Sequence, residues 1–234
     1  MFENQQKVDK EDLKMLAAYQ AYAQIPSTCV VGLGTGTTVR FFIEALGVRF
    51  VKDNDFHVKV FVTSKDSYEK AKKYSLPVLP LESIKEVDIT ADGADWIDLE
   101  TGYCLKGAGG AAFLEKIVAR HTKRQIIVVD DSKLCETFVG KKVALEVKTD
   151  QVSQLLQCTG YEFFDRKQVS DAGNSIVDVI VKTDNLKSFH DELMKLPGVI
   201  ETGIFVNLVD EIIVAYSNLV ISNYKVNKNI NEST

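Results

Sequence analysis

Cysteine and histidine are scarce and scattered in this sequence. Cys29, Cys104, Cys135 and Cys158 form no close pair, and His57, His121 and His190 stand far apart. That spacing excludes a zinc ribbon and a disulfide framework and leaves no visible metal cluster. Any of the three histidines remains open to a catalytic role, although an isolated histidine is more often structural. No apolar run approaches the ~20 residues of a membrane span, and Met1 to Lys10 is polar and mixed in charge, without the pattern of a secretory signal. The expectation is a cytoplasmic protein with no membrane partner. A basic excess is also missing: the net charge is −5. This excludes a diffuse basic surface and hence argues against nucleic acid. An anionic substrate remains compatible if cations are placed locally.

The 234 residues are 45% hydrophobic and 26% charged, enough to bury a substantial core in one large or two small domains. The first part alternates helix and strand signals. Glu11 to Gln24 reads as a helix stopped near Pro26, and Val39 to Leu46 and Asp66 to Tyr74 as two more. Thr28–Val31, Val58–Val62, Val87–Thr90 and Gln125–Val129 read as strands, each followed by a polar loop. Such repetition predicts a mostly parallel, Rossmann-like α/β sheet covered on both faces. Its polar loops should gather at the carboxyl edge of the strands, where open α/β sheets bind ligands.

From about Val143 the pattern changes. Strands are expected at Val143–Val147, Tyr161–Phe164, Ser175–Val181 and Val199–Phe205, with helices at Asp150–Gln157 and Leu186–Leu196. That β-α-β-β-α-β order predicts a smaller ferredoxin-like α+β domain. Glu211–Tyr216 reads as a strand returning to the first sheet. The expected domains are therefore 1–138 together with 209–234, and 139–208. The Asn- and Lys-rich tail, Asn223 to Thr234, has little to bury and reads as mobile.

Four polar segments carry chemistry. Lys106 opens the glycine-rich run Gly107, Ala108, Gly109, Gly110, and Glu115 follows nine residues after the lysine. The run offers a cation, backbone N–H groups for an oxyanion, and a candidate base about one and a half turns into the next helix. The alternative is a plain turn before a surface helix, with Glu115 paired to a nearby cation. Gly32 to Thr38 fails as a dinucleotide fingerprint, because Thr37 stands where the third glycine belongs, and it lacks the Gly-Lys ending of a Walker loop. What remains is a strand-to-helix turn, Thr35-Gly36-Thr37-Thr38, suited to a phosphate monoester or simply to helix capping. Asp92-Gly93-Ala94-Asp95 puts two carboxylates beside a turn, for proton exchange with hydroxyls or for stabilising the turn itself. Asp131-Ser132-Lys133 follows the fourth strand; Lys133 either helps cap the next segment or reaches a phosphate or sugar oxygen.

Taken together, in this order and at these spacings, the four segments and Pro197 to Phe205 resemble ribose-5-phosphate isomerase type A, from the first helix to about Tyr216. The resemblance implies a Rossmann-like domain plus a ferredoxin-like lobe. It implies reversible aldose–ketose isomerisation of D-ribose 5-phosphate and D-ribulose 5-phosphate, a step of the non-oxidative pentose phosphate pathway, and a homodimer. Glu115 falls where the family has its base, and Lys106 where it stabilises the reacting oxygens. Thr35 to Thr38, Asp92 to Asp95, Lys106 to Gly109 and Lys133 fall on substrate-contact segments. Asp92 is the candidate for ring opening by proton transfer at the ring oxygen or O1. No cofactor or metal is implied. A non-catalytic sugar-phosphate sensor is the alternative, and the related sugar-phosphate deaminases and CoA-transferases share the superfamily architecture. The chain departs from the family pattern at Thr37 (usually serine), Ala108 (glycine), Leu114 (often arginine) and Ala144 to Val147, and it is shortened around Arg166 to Asn174. Alanine at 108 would strain the loop if that position takes positive φ.

Overall fold

The computed structural model describes residues 9–227. In chain order the elements are α1 (Lys10–Tyr22), β1 (Thr28–Leu33), α2 (Val39–Lys52), β2 (His57–Val62), α3 (Lys65–Lys73), β3 (Val87–Asp92), β4 (Trp96–Ile97), β5 (Cys104–Leu105), α4 (Ala112–Arg120) and β6 (Thr122–Asp130). There follow β7 (Lys142–Val147), α5 (Val152–Leu155), β8 (Phe163–Val169), β9 (Ser175–Ile180), α6 (Leu186–Leu193), β10 (Val199–Thr202), β11 (Ile204–Phe205), β12 (Glu211–Ala215) and β13 (Ile221–Lys225). No helix among the described residues is long and apolar enough to cross a membrane.

Six strands form the first sheet in the order β13-β12-β6-β3-β1-β2. All neighbours run parallel except β12 and β13. Its central strands are near-continuous apolar runs, such as Ile126 to Val129, because both faces are covered. The helix α1 is capped by Asp9, whose side chain accepts from the N–H of Glu11, and it buries Leu13, Ala17, Ala18 and Ala21. The chain leaves β1 toward β2 on one side and returns to β3 on the other. The loops after β1 and β3 therefore diverge and open a crevice at their carboxyl ends.

A second sheet, antiparallel throughout, has the order β10-β7-β9-β8. Its spatial order is fourth, first, third, second, with α5 and α6 in the two crossovers: the ferredoxin-like arrangement expected from sequence. Leu145, Val177, Leu186 and Phe189 belong to its own buried core.

Several details differ from expectation. The predicted strand Val199–Phe205 splits at Gly203, whose N–H donates to Ala144 O at 2.6 Å and whose carbonyl accepts from Lys106 N at 2.8 Å. Residues 199–202 pair with β7, whereas Ile204 and Phe205 join β5 and β4 in a third, three-stranded sheet. The chain changes partners there, and the switch anchors the backbone at Lys106. The expected helix at 150–157 is a 3-10 turn followed by the short α5, and α6 stops at Leu193. The strand expected at Tyr161–Phe164 begins at Phe163 and runs to Val169; its polar outer half is legible only as an edge strand. The expectation of a mobile tail is corrected in part: Asn223 to Lys225 lie in β13, paired to β12 on one side only. The residues before 9 and after 227 lie outside the described chain.

Candidate active site

Four loops meet at the crevice, and a cavity of about 380 Å³ lies between them. The loop after β1 supplies Thr35, Gly36, Thr37 and Thr38 to its wall. It approaches β3 closely: a Cβ on Gly34 would stand 2.1 Å from Asp92 Oδ1, so only glycine fits there. Thr35 Oγ1 bonds Thr63 Oγ1 at 2.9 Å. Thr38 takes the cap position of α2 but makes no side-chain capping bond. Capping therefore does not explain its hydroxyl. The backbone N–H groups of Thr37 and Thr38 find no acceptor among the described residues. A helix N-terminus left in this state is a ready anion site.

The two aspartates of the next loop separate. Asp92, 1% exposed, does not line the cavity, while Asp95 does. Asp92 Oδ1 accepts from the N–H of Gly93 at 2.7 Å and of Thr35 at 3.2 Å. Its other oxygen stands 3.0 Å from Lys106 Nζ. Asp95 Oδ2 accepts from Ala108 N at 2.8 Å. Gly93 and Ala94 complete this wall.

Lys106 and Glu115 both reach the cavity although each is almost fully buried. Lys106 Nζ lies 3.3 Å from Glu115 Oε2 and donates to the Gly93 carbonyl. Asp92 Oδ2 and Glu115 Oε2 are within ion-pair distance of the ammonium, yet neither accepts a well-aligned hydrogen bond. Burial, reinforced by the charge of Asp92, pushes the Glu115 carboxyl up to about 8, against the pull of Lys106. Burial also raises Asp92, with Lys106 opposing. For Lys106, burial works against the charge, but Asp92 and Glu115 outweigh it and hold the ammonium above the ordinary lysine range. A cation, a carboxyl poised near neutrality and a cavity wall thus coincide, the pattern expected where protons are moved.

Glu115 stands in the first turn of α4 rather than one and a half turns in, because the helix begins at Ala112. Gly107, Ala108 and Gly109 line the cavity. The N–H of Ala108 is committed to Asp95 and that of Gly110 to Gly107 O, so of this run Gly107 and Gly109 alone keep N–H groups with no acceptor among the described residues. Lys133 also lines the cavity, on a turn held by Asp130, whose Oδ1 accepts from Ser132 N at 3.0 Å. Two cations on the wall escaped the sequence reading, Lys10 and Lys14 of α1, as did Val128, Val129 and Asp130 at the end of β6. The i, i+4 spacing of the two lysines on one helix face was the available signal, but nothing local pointed that face at a distant crevice. None of the histidines lines the cavity. Among the described residues no group of three or more His, Cys, Asp and Glu has metal-holding geometry.

The model of the family ribose 5-phosphate isomerase A (phosphoriboisomerase A) matches residues 59–218. A ribose-5-phosphate isomerase A of Streptococcus agalactiae is 36% identical over 217 residues, covering 89% of this chain and 96% of the relative. The chain belongs to the ribose 5-phosphate isomerase A family. Among solved structures, ribose 5-phosphate isomerase A of Methanocaldococcus jannaschii superposes with a TM-score of 0.86 at 31% identity, covering 93% of this chain and 100% of that one. A D-ribose-5-phosphate isomerase in complex with phospho-erythronic acid gives the same TM-score at 28% identity, with the same coverage.

Within this isomerase family the departure at Ala108 is harmless to the backbone. Positive φ falls on Gly107 (107°) and Gly110 (75°), not on residue 108, so an alanine is accommodated without strain.

Proposed function

We propose that this chain interconverts D-ribose 5-phosphate and D-ribulose 5-phosphate through a cis-enediolate, with Glu115 as the base. The observation that carries the reading is the buried Lys106–Glu115 pair, 3.3 Å apart in a cavity that also holds a free helix N-terminus. The phosphate is assigned to Thr35–Thr38 and the α2 N-terminus, with Lys133, Lys10 and Lys14 supplying positive charge. Glu115 takes the proton from C2 of the open aldose and returns it to C1, while the hydroxyl proton passes from O2 to O1; one carboxylate serves both carbons because they are adjacent. Lys106 and the N–H groups of Gly107 and Gly109 stabilise the oxygen charge that develops. Proton transfer in ring opening suits Asp95 better than Asp92, since Asp95 faces the cavity. Asp92 holds the ammonium, with its Oδ2 3.0 Å from Lys106 Nζ. Oxidation at one carbon balances reduction at its neighbour, so the step needs no redox partner.

A sugar-phosphate sensor has no use for a buried lysine facing two carboxylates, which favours the enzyme. Ketose formation from ribose 5-phosphate tests the reading directly; its absence with purified protein refutes it. A homodimer, a cytoplasmic location and a place in the pentose phosphate pathway accompany the reading through the family resemblance, and light scattering measures the first of these.

Two results are expected here. Lys133→Ala should raise KM for ribose 5-phosphate about 10-fold, the scale of one charge-assisted hydrogen bond, with a smaller effect on kcat; an unchanged KM removes Lys133 from substrate contact. The base must be ionised to act, so kcat/KM should climb with pH and level off above about 8, where Glu115 loses its proton. A profile flat from pH 6 to pH 9, outside any change in substrate ionisation, would refute the pKa assignment.

A further inference from the structure

The second sheet does more than pack against the first. Arg166, on its edge strand β8, sends Nη1 to the carbonyl oxygens of Gly107 (2.8 Å) and Ala108 (3.1 Å). Its Nε and Nη2 pair with the two oxygens of Asp178 on β9, at 2.8 and 2.5 Å. The register of β8 shifts between Asp165 and Val169, and Lys167 within that bulge has φ 54°. A bulge of this kind re-aims a side chain. Arg166 itself does not line the cavity.

We infer that Arg166 is a positioning residue for the reaction: by holding the Gly107 and Ala108 carbonyls outside the cavity, it aims the Gly109 N–H into it. The inference rests on the isomerase reading above. In a trans peptide the C=O and the next N–H point in opposite directions. Ala108 O faces the guanidinium, so the N–H of Gly109 faces away from it, toward the cavity that Gly109 lines. The neighbouring peptide is gripped at both ends, its carbonyl (Gly107) by Arg166 and its N–H (Ala108) by Asp95. Asp178 fixes the plane of the guanidinium through the forked pairing that only arginine offers. The Gly107 carbonyl also accepts from the Gly110 N–H, but the Ala108 carbonyl has Arg166 as its partner, and without the guanidinium that peptide is free to turn its carbonyl inward, placing partial negative charge where the enediolate oxygens develop theirs.

The test uses Arg166→Lys, which keeps charge and length but loses the fork, and Asp178→Asn, which keeps the arginine but loosens its plane. For each, kcat and KM for ribose 5-phosphate are measured beside the affinities for inorganic phosphate and for a phosphorylated aldonohydroxamate, whose planar head mimics the enediolate. Misplacement of a catalytic group by about an ångström costs up to ~10²-fold. Arg166→Lys should therefore lower kcat about 10- to 100-fold and weaken hydroxamate binding by a similar factor, with phosphate affinity within about twofold of wild type. Asp178→Asn should show the same split at smaller size. A kcat within about threefold of wild type in both variants, or phosphate and hydroxamate affinities falling together, overturns the proposal. A wild-type protein without ribose 5-phosphate turnover would instead refute the isomerase reading itself.

Discussion

Glu115→Gln is expected to reduce turnover of ribose 5-phosphate by about 10³-fold or more, the upper part of the range for general acid–base catalysis, while substrate binding stays within a few-fold of wild type. The amide matches the carboxyl in volume, so the cavity keeps its shape and the Thr35–Thr38 loop, the proposed phosphate site, is untouched. What disappears is the group that can hold a proton between C2 and C1. Isotope exchange at the substrate in D2O should vanish together with turnover, and calorimetric binding of ribose 5-phosphate should persist. Turnover within a few-fold of wild type would remove Glu115 from the role of base. The variant also carries a stability signature. The native carboxyl titrates near 8 against an ordinary value of 4.5, so between those pH values the folded chain holds a proton that the unfolded chain has released. Wild-type stability therefore falls as pH rises through that window. Glu115→Gln lacks the proton and should lose less stability between pH 5 and pH 9, read from melting temperatures.

Lys106→Met is the second large effect, and it acts on chemistry and stability together. Removing a preorganised charge beside a developing oxyanion costs about 10²–10³-fold in kcat. The methionine also leaves Asp92 and Glu115 buried side by side without their shared cation. Breaking a buried ion pair by deleting one partner costs about 3–5 kcal/mol when the remaining charge stays ionised. Protonation relieves that cost, so the deficit relative to wild type should be small near pH 5 and grow toward pH 9. Adding Glu115→Gln to Lys106→Met should recover stability at high pH but not activity, a coupling that a double-mutant cycle measures. A stability loss independent of pH would mean that the lysine acts by packing rather than by charge. Activity near wild type would remove it from the oxyanion role.

Much of this was legible in the chain itself. Runs such as Ile126 to Val129 ended by polar loops determine a parallel sheet, because a strand buried on both faces must be apolar throughout and its loops must leave the core. The spacing of Lys106 and Glu115 across a glycine-rich turn likewise determines that a cation and a carboxyl flank one loop–helix junction. The second lobe was legible as an order of elements, since a sheet with one buried face imposes its own alternation. Its edge strand β8 was blurred because an edge exposes polar side chains.

Other features required the folded chain. Asp92 and Asp95 stand in one motif, and the sequence favours Asp92 for ring opening, yet Asp92 is buried against Lys106 and Asp95 lines the cavity; Gly34 admits the Asp92 carboxylate against the first loop. Whether Ala108 strains the loop depends on its φ, and only the folded backbone puts the positive φ values on Gly107 and Gly110 instead. Lys10, Lys14 and Arg166 reach the site or its loop from far along the chain. The sequence by itself determined which groups are available and which backbone segments carry them, since periodicity and turn chemistry are local. Tertiary structure alone decided which side chain faces the cavity and which charge is stripped of water, since both depend on contacts from residues distant in the chain.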